Sequence, residues 1–332
     1  MSRQILFVID DLELKYFEFN DLVTNFWLIK EFLSREFQVF ITTKNRLMIE
    51  SAEAFFTGFK SYTKNNDIFY DKQEIKMPVN NVDVVFFRPD PPVDIDYINA
   101  CYVFDFVDRE KTLLINDPSK IKDFNEKFHI NYFPEFIPEN IVTASKNQII
   151  EFIEKNDEVI LKPLNRCFGS GVYYLNKAEK NKISIINSST NDGKTAVMVQ
   201  KFVKSTSKGD KRVLIFNDKV YDKCLRKLPG EDDFKFNTHS DKFFAASKLT
   251  DSEKQMAKKV SEHLSKIGLY MVGLDVIDEK IIEINVTSPC YFIREINSLY
   301  QVRFEDEILN DLINFINRKT IQSNRTCNIC LN

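Results

Sequence analysis

Apolar runs of strand length alternate with helix-like stretches along the first third of this chain, and that order restricts its fold more than any other feature. Residues 5–9, Ile-Leu-Phe-Val-Ile, are continuously apolar, as expected of a strand covered on both faces. Asp21 is placed to cap a helix whose apolar face carries Val23, Phe26, Trp27 and Leu33. Residues 37–42 predict a second strand, 84–87 another and 113–116 the next, with a helical pattern over 94–110. Strands alternating with helices predict an open, mostly parallel sheet. Residues 52–80 interrupt the alternation and predict an irregular excursion with a short hairpin.

Asp117-Pro118 is a helix-start pair, a capping side chain followed by proline at the first helical position. It predicts a helix running through Asn125, Glu126 and Lys127 and stopping before Pro134. A helix near 146–155, a strand over 159–162, a glycine-containing turn and a strand over 172–175 follow, then a polar connection to about residue 194. A strand over 196–203 precedes a hairpin of 212–216 with 220–225, turning at Asn217-Asp218. Thr250 and Glu253 make a capping box, and Met256, Ala257, Val260, Leu264 and Ile267 line one face of the helix it starts. Gly268 ends that helix. A strand pair, 271–277 with 281–286, and a helix over 304–318 complete the order.

Charge and cysteine usage narrow the class of function. The 46 basic and 49 acidic residues are interspersed and leave a net charge of -3, so no field recruits nucleic acid or an anionic membrane. A basic cluster local to one pocket stays open. No apolar run approaches the roughly eighteen residues of a membrane span, and no small-residue cleavage site follows the first apolar run. These features predict a cytoplasmic protein with reduced thiols. Of Cys101, Cys167, Cys224, Cys290, Cys327 and Cys330, only the last two form a CxxC. It lies in a polar tail without the second pair that a zinc site needs. Glycine is scarce, 8 in 332 residues, whereas phenylalanine reaches 30; each glycine present is therefore informative about the backbone.

Two constellations carry chemistry. The first is Gly273-Leu274-Asp275 followed by Glu283-Ile284-Asn285. Alternation along a strand sends Glu283 and Asn285 one way and Ile282 and Ile284 into the core. Two carboxylates and an amide oxygen on one face suit magnesium; an amphipathic hairpin with a solvated polar face would read the same way. The second is cationic. Lys162 ends a strand just before the turn that holds Gly169, Ser170 and Gly171, a candidate backbone cradle for phosphates. Lys127 fits either a phosphate contact or a cation at a helix C-terminus.

In their order along the chain these residues resemble an ATP-grasp ligase, and specifically the prokaryotic glutathione synthetase family. The stretches that carry the resemblance are Arg88-Pro-Asp-Pro-Pro, Ile115-Asn-Asp-Pro, Asn125-Glu-Lys, Gly209-Asp-Lys-Arg, Val272-Gly-Leu-Asp, Glu283-Ile-Asn-Val-Thr-Ser-Pro and Ile293-Arg-Glu. The likeness runs from the first strand to about residue 318. It implies an N-terminal open parallel α/β domain (residues 1–122) followed by a two-lobed ATP-grasp module, α+β in class. The small lobe would be residues 123–200, the large lobe 201–318, and a polar tail 319–332.

The resemblance further implies ATP-dependent amide formation through an acyl phosphate, with γ-glutamylcysteine as donor and glycine as acceptor. Lys127, Lys162, Gly169, Ser170, Gly171, Gln200, Lys201, Phe202, Val203 and Asp210 would bind ATP. Asp275, Glu283 and Asn285 would bind Mg2+ or Mn2+. Arg212 and Lys227 would be catalytic, and Arg88, Asn237, Ser288 and Arg294 would hold substrate. A homo-oligomer is also implied. The chain departs from the pattern in three places. Asn165-Arg166-Cys167 precedes the phosphate turn with one extra residue, and Cys290-Tyr291-Phe292 has three residues where the family has two. The third departure replaces an arginine with Lys227 and a glycine-rich loop with residues 230–247. All three lie toward the acceptor, so the same chemistry on another donor or amine, or a nucleotide-binding protein without catalysis, stays open at this stage. Phe243 and Phe244 suggest a loop that covers the site by apolar contact or joins the core.

Overall fold

The architecture comes from a computed structural model of the chain, which describes residues 2–17, 21–65, 67–167, 169–204, 209–228 and 244–329, with side chains to 319. Asn237, Phe168, Phe243, Cys330, the Cys327 side chain and residues 230–243 of the replaced loop lie outside the described residues.

The N-terminal part contains β1 (Gln4–Ile9), α1 (Asp11–Lys15), α2 (Thr24–Ser34), β2 (Gln38–Thr43), β3 (Leu47–Glu50), β4 (Glu53–Lys64), β5 (Asp67–Tyr70), β6 (Ile75–Pro78), β7 (Val84–Phe87), α3 (Ile95–Val103) and β8 (Leu113–Ile115). Its sheet order is β3-β4-β2-β1-β7-β8. The β2-β1-β7-β8 centre is parallel, as the alternation predicts. Ile5 to Phe7 are fully buried, and the Phe7 and Phe86 rings stack at 4.6 Å.

Three local expectations need correction here. Residues 52–80 are not irregular: β4 spans 12 residues and pairs antiparallel with β2, β3, β5 and β6. The close pairing depends on Gly58, where a Cβ would lie 2.4 Å from the Ile41 carbonyl oxygen. Asp21 does not cap α2, whose N-cap is Val23 without a side-chain bond; the Asp21 carbonyl instead accepts from Trp27 Nε1 at 2.7 Å. The helix predicted from Pro118 stops early, as α4 (Pro118–Ile121). Asn125 Oδ1 accepts from the backbone N–H groups of Lys127 and Phe128, and such local side-chain bonding competes with helix continuation. Lys127 is therefore on a turn rather than at a helix end.

The second sheet is antiparallel, ordered β11-β10-β12-β9, from β9 (Asn140–Thr143), β10 (Glu158–Pro163), β11 (Tyr173–Asn176) and β12 (Val197–Lys201). It packs on α5 (Lys146–Asn156) and α6 (Lys182–Ser189), the latter lying inside the stretch read as a polar connection. The third sheet, also antiparallel, is ordered β16-β15-β13-β17-β18, with β14 (Lys219–Val220) on β13 (Asp210–Phe216). Its other strands are β15 (Cys224–Lys227), β16 (Phe244–Ser247), β17 (Met271–Ile277) and β18 (Lys280–Asn285). Helices α7 (Asp251–Lys266), α8 (Ile293–Tyr300) and α9 (Phe304–Ile329) complete it. The Thr250–Glu253 capping box starts α7, and Gly268, at φ 88°, follows its end.

Asn116 joins the first sheet to the third. Its Nδ2 donates to the carbonyls of Met271 and Val286, and its Oδ1 accepts from the N–H groups of Tyr270 and Met271, all within 2.8 Å. Among the described residues no helix is long and apolar enough to cross a membrane.

Candidate active site

The hairpin of β17 and β18 sets the centre of the site. Asp278 and Glu279 both take positive φ, 50° and 59°, the requirement of a two-residue type I′ turn. Such a turn alone would set Asp275 opposite Ile282 and part the carboxylates. A register shift after Asp275 instead pairs Val276 with Ile281 but Asp275 with Glu283. Ile282 is the extra residue of this bulge. This corrects the simple alternation: Ile281 and Ile284 are the fully buried pair, while Ile282 offers its carbonyl to the site.

Two lysines converge on β18. Lys127 Nζ donates to Glu283 Oε1 and to the Arg166 carbonyl, each at 2.7 Å. Lys162 Nζ donates to the Ile282 carbonyl at 3.1 Å and to Gln200 Oε1 at 3.0 Å. Burial, with Lys127 adding to it, pushes the Lys162 ammonium down to about 8. Burial alone would lower Lys127 too, but the Glu283 charge and hydrogen bond outweigh it and hold that ammonium above its usual value. Gln200 Nε2 is buried and has no partner among the described residues.

Asp275 faces a sealed network. Arg212 grips it with Nε to Oδ1 at 2.8 Å and Nη2 to Oδ2 at 3.2 Å. Lys227 Nζ lies 3.0 Å from Oδ1 of Asp275 and 2.8 Å from Oδ2 of Asp210. Asn285 Nδ2 donates to Asp275 Oδ2 at 3.2 Å. Burial would raise the Asp275 carboxyl, yet the charges of Arg212 and Lys227 prevail and hold it well below the usual carboxylate range. Asp210 goes the other way: burial pushes it up to about 7 against the pull of Lys227. Its Oδ1 is buried without a partner among the described residues. The β13–β15 contact beside it requires Gly209, where a Cβ would approach the Lys227 carbonyl oxygen to 2.4 Å.

The remaining sequence-derived residues fall into four positions. Gly169 and Gly171, at φ 68° and 72°, shape the turn with Ser170 between them, and the Ser170 N–H donates to the Cys167 carbonyl. Beyond Gln200, the backbone N–H groups of Lys201 and Phe202 donate to Glu139 and Glu158 carbonyls, and Val203 follows at the end of the strand. Arg88 is buried, with Nε to Asn25 Oδ1, Nη2 to the Pro289 carbonyl at 2.9 Å and Nη1 to Met271 sulfur at 3.7 Å; it braces the segment beside Ser288 rather than opening into the cleft. Arg294 sits apart, on Glu295 and Asp21.

Two contributors went unread in the sequence. Glu126 Oε1 accepts from the N–H groups of Val286 and Thr287 and from the Thr287 hydroxyl, at 2.7 to 2.9 Å, and so clasps the end of β18. Burial and the Asp10 charge push the Asp90 carboxyl up to about 6, against the pull of the Ser288 hydroxyl. Their only signal was membership in Asn-Glu-Lys and Arg-Pro-Asp-Pro-Pro.

Residues 4–122 match the model of the prokaryotic glutathione synthetase N-terminal domain, and residues 126–301 that of the prokaryotic glutathione synthetase ATP-grasp domain. The chain belongs to the prokaryotic glutathione synthetase family. It is 37% identical to the glutathione synthetase of a Nostoc species over 70% of this chain and 71% of that one. It is 31% identical to that of Vibrio parahaemolyticus over 86% and 91%. The fold matches D-cycloserine synthetase with a TM-score of 0.61 at 12% identity, over 90% of this chain and 99% of that one. It also matches D-alanyl-alanine synthetase A from Vibrio cholerae at 0.59 and 14%, over 96% and 99%. As a member of the glutathione synthetase family, the chain is an ATP-dependent, ADP-forming C–N ligase.

The donor set suits the metal that such a ligase implies. Among the described residues no three His, Cys, Asp or Glu side chains cluster as a closed metal cage. Asp275 opposite Glu283, with Asn285 beside them, is the sparse oxygen set that magnesium takes when substrate phosphates complete its shell.

Proposed function

We propose that this chain joins the C-terminal carboxylate of γ-glutamylcysteine to the amine of glycine. The observation that carries this reading is the convergence of Lys127 and Lys162 on consecutive residues of β18, Glu283 and Ile282. A carboxylate meeting a triphosphate brings two anions together, and fixed cations must neutralise both. In the ATP complex the two ammonium groups exchange these protein oxygens for α- and β-phosphate oxygens, beside the turn of Gly169, Ser170 and Gly171. Gln200 Nε2 supplies a donor to the adenine edge along the strand of Lys201, Phe202 and Val203, and Asp210 Oδ1 an acceptor to the ribose.

Asp275, Glu283 and Asn285 would hold Mg2+, and Mn2+ accepts the same oxygen donors. The ion, when bound, neutralises charge between the β- and γ-phosphates. Arg212 and Lys227 face the transferring phosphoryl group. The Arg212 fork is already on Asp275, so both groups act on the phosphoryl group through their charge. Ser288, Asn237 and Arg294 bind the donor, and Arg88 positions Ser288 through Pro289. The reading implies small-molecule substrates, cytoplasmic conditions that keep the donor thiol reduced, and a homo-oligomer as in the family it resembles.

ADP release with γ-glutamylcysteine and a panel of amino acids tests the assignment. Glycine-dependent amide formation is the expected result. Turnover with another amine would move the chain to a different acceptor, and nucleotide binding without turnover would make it a regulatory protein.

A further inference from the structure

The segment 290–292 holds a bulky residue in a backbone conformation suited to glycine. Phe292, which precedes the first turn of α8, has φ 47° and ψ 45°, the left-handed region that residues with a Cβ rarely adopt. Such a conformation persists where the surroundings over-determine it, and it concentrates at functional sites. The surroundings here do so. The Cys290 carbonyl accepts from Arg212 Nη1 at 3.1 Å. The Tyr291 N–H donates to Thr24 Oγ1 at 2.8 Å, and its buried hydroxyl donates to the Ile215 carbonyl.

The ring held this way lies over the Arg212 guanidinium, 5.3 Å from its carbon to the ring centroid. It also meets Phe244, centroid to centroid 5.4 Å, and both rings are buried. Gly273 leaves the room that Arg212 needs: a Cβ there would come within 3.2 Å of Arg212 Cδ and Nη1. Arg212 is thus enclosed by Asp275, a carbonyl, a glycine gap and an aromatic face. Two of the chain's departures from the family pattern, the extra residue in 290–292 and the replaced loop that ends at 247, meet at this one contact.

We infer that Phe292 is a positioning residue which, backed by Phe244, holds Arg212 against Asp275 and keeps water away from it, so that ATP cleavage stays coupled to amide formation. The inference rests on the ligase reaction proposed above. In the coupled path the acceptor nitrogen bonds the acyl carbon, the carbon–oxygen bond to phosphate breaks, and phosphate leaves as the nitrogen loses a proton. If water enters, its oxygen bonds the acyl carbon instead. The donor carboxylate is then regenerated, phosphate leaves, a proton goes to solvent, and ATP is consumed without product.

Measuring ADP and amide in the same reaction of the full chain tests this. Phe292→Gly keeps the backbone conformation without strain and removes the ring. It should raise ADP released per amide roughly two- to thirtyfold, the range a cation–π contact can hold, with KM for ATP unchanged. Phe292→Leu keeps an apolar cover and should lower the rate while leaving the ratio near that of the parent chain. Phe244→Ala reads the same effect from the second ring if Phe292→Gly does not fold. A folded Phe292→Gly protein with the parent ratio overturns the inference, even if its rate falls, because a merely structural role lowers both products together. A parent chain that releases ADP and forms no amide overturns the proposed reaction instead.

Discussion

The two carboxylates that face each other across β17 and β18 are held in opposite ways. Asp275 is buried, gripped by Arg212 and Lys227 and touched by Asn285. Glu283 has one cationic partner, Lys127, and 21% of its side chain is open. A buried anion between two cations cannot release one partner without leaving a buried charge uncompensated. Glu283, less buried and held by a single ammonium, can exchange Lys127 for another cation more readily than Asp275 can exchange its two partners. One side of the hairpin is therefore a fixed electrostatic frame, and the other is where ligands enter and leave.

Substitutions can break this contrast. Asp275→Ala should have the largest effect, lowering turnover about a thousandfold and destabilising the fold by about 3–5 kcal/mol, because Arg212 and Lys227 lose their counter-charge. ADP release and urea unfolding measure the two; a variant as stable as the parent would remove the distinction between the strands. Lys162→Ala should cost about a hundred- to a thousandfold in kcat while leaving the thermal midpoint unchanged or higher, since burial already disfavours that ammonium. A large drop in midpoint would make Lys162 part of the frame. Glu283→Gln should raise the Mg2+ concentration for half-maximal activity roughly tenfold and cost less stability than Asp275→Ala, since one ammonium rather than two cations loses its counter-charge.

The smallest expected effect is on pH dependence. The Lys162 ammonium titrates near 8 in the free protein, and a bound phosphate raises it. Binding therefore takes up a proton above pH 8. ATP affinity should be full below that value and fall by at most about tenfold per unit as pH rises through it. Titration calorimetry in two buffers of different ionisation enthalpy reads the proton uptake, and flat affinity from pH 7 to 9 would contradict it.

Much of this was legible along the chain. The parallel centre of the first sheet follows from the apolar runs at 5–9, 37–42, 84–87 and 113–116. That Glu283 and Asn285 share a face followed from alternation, but the pairing of Asp275 with Glu283 comes from the register shift after Asp275. The bulge at Ile282 is a backbone irregularity that leaves no mark on residue type, so the sequence pattern assigned Ile282 to the core in place of Ile281. The helix drawn from Pro118 to Lys127 overlooked Asn125, whose side chain bonds amides that a helix would have used. The excursion at 52–80 hid a long strand because its inward positions, Ala54, Phe56 and Gly58, include a residue with no side chain to mark the period. Ion partners such as Asp210 for Lys227 depend on contacts between neighbouring strands, which spacing along one chain does not reveal.

Asn116 gives the molecule an order of assembly. Its amide closes β8 only against carbonyls and N–H groups from residues 270–286, and Arg88 likewise finds Met271 and Pro289 only there. A buried amide without partners is costly. During synthesis from the N-terminus, the first sheet can pair its strands once β8 emerges, yet its far edge stays chemically unfinished for more than 150 further residues. A nascent chain released before residue 286 would carry that unmet amide at the end of the sheet. The strand pair that completes the first sheet is made more than 150 residues after it.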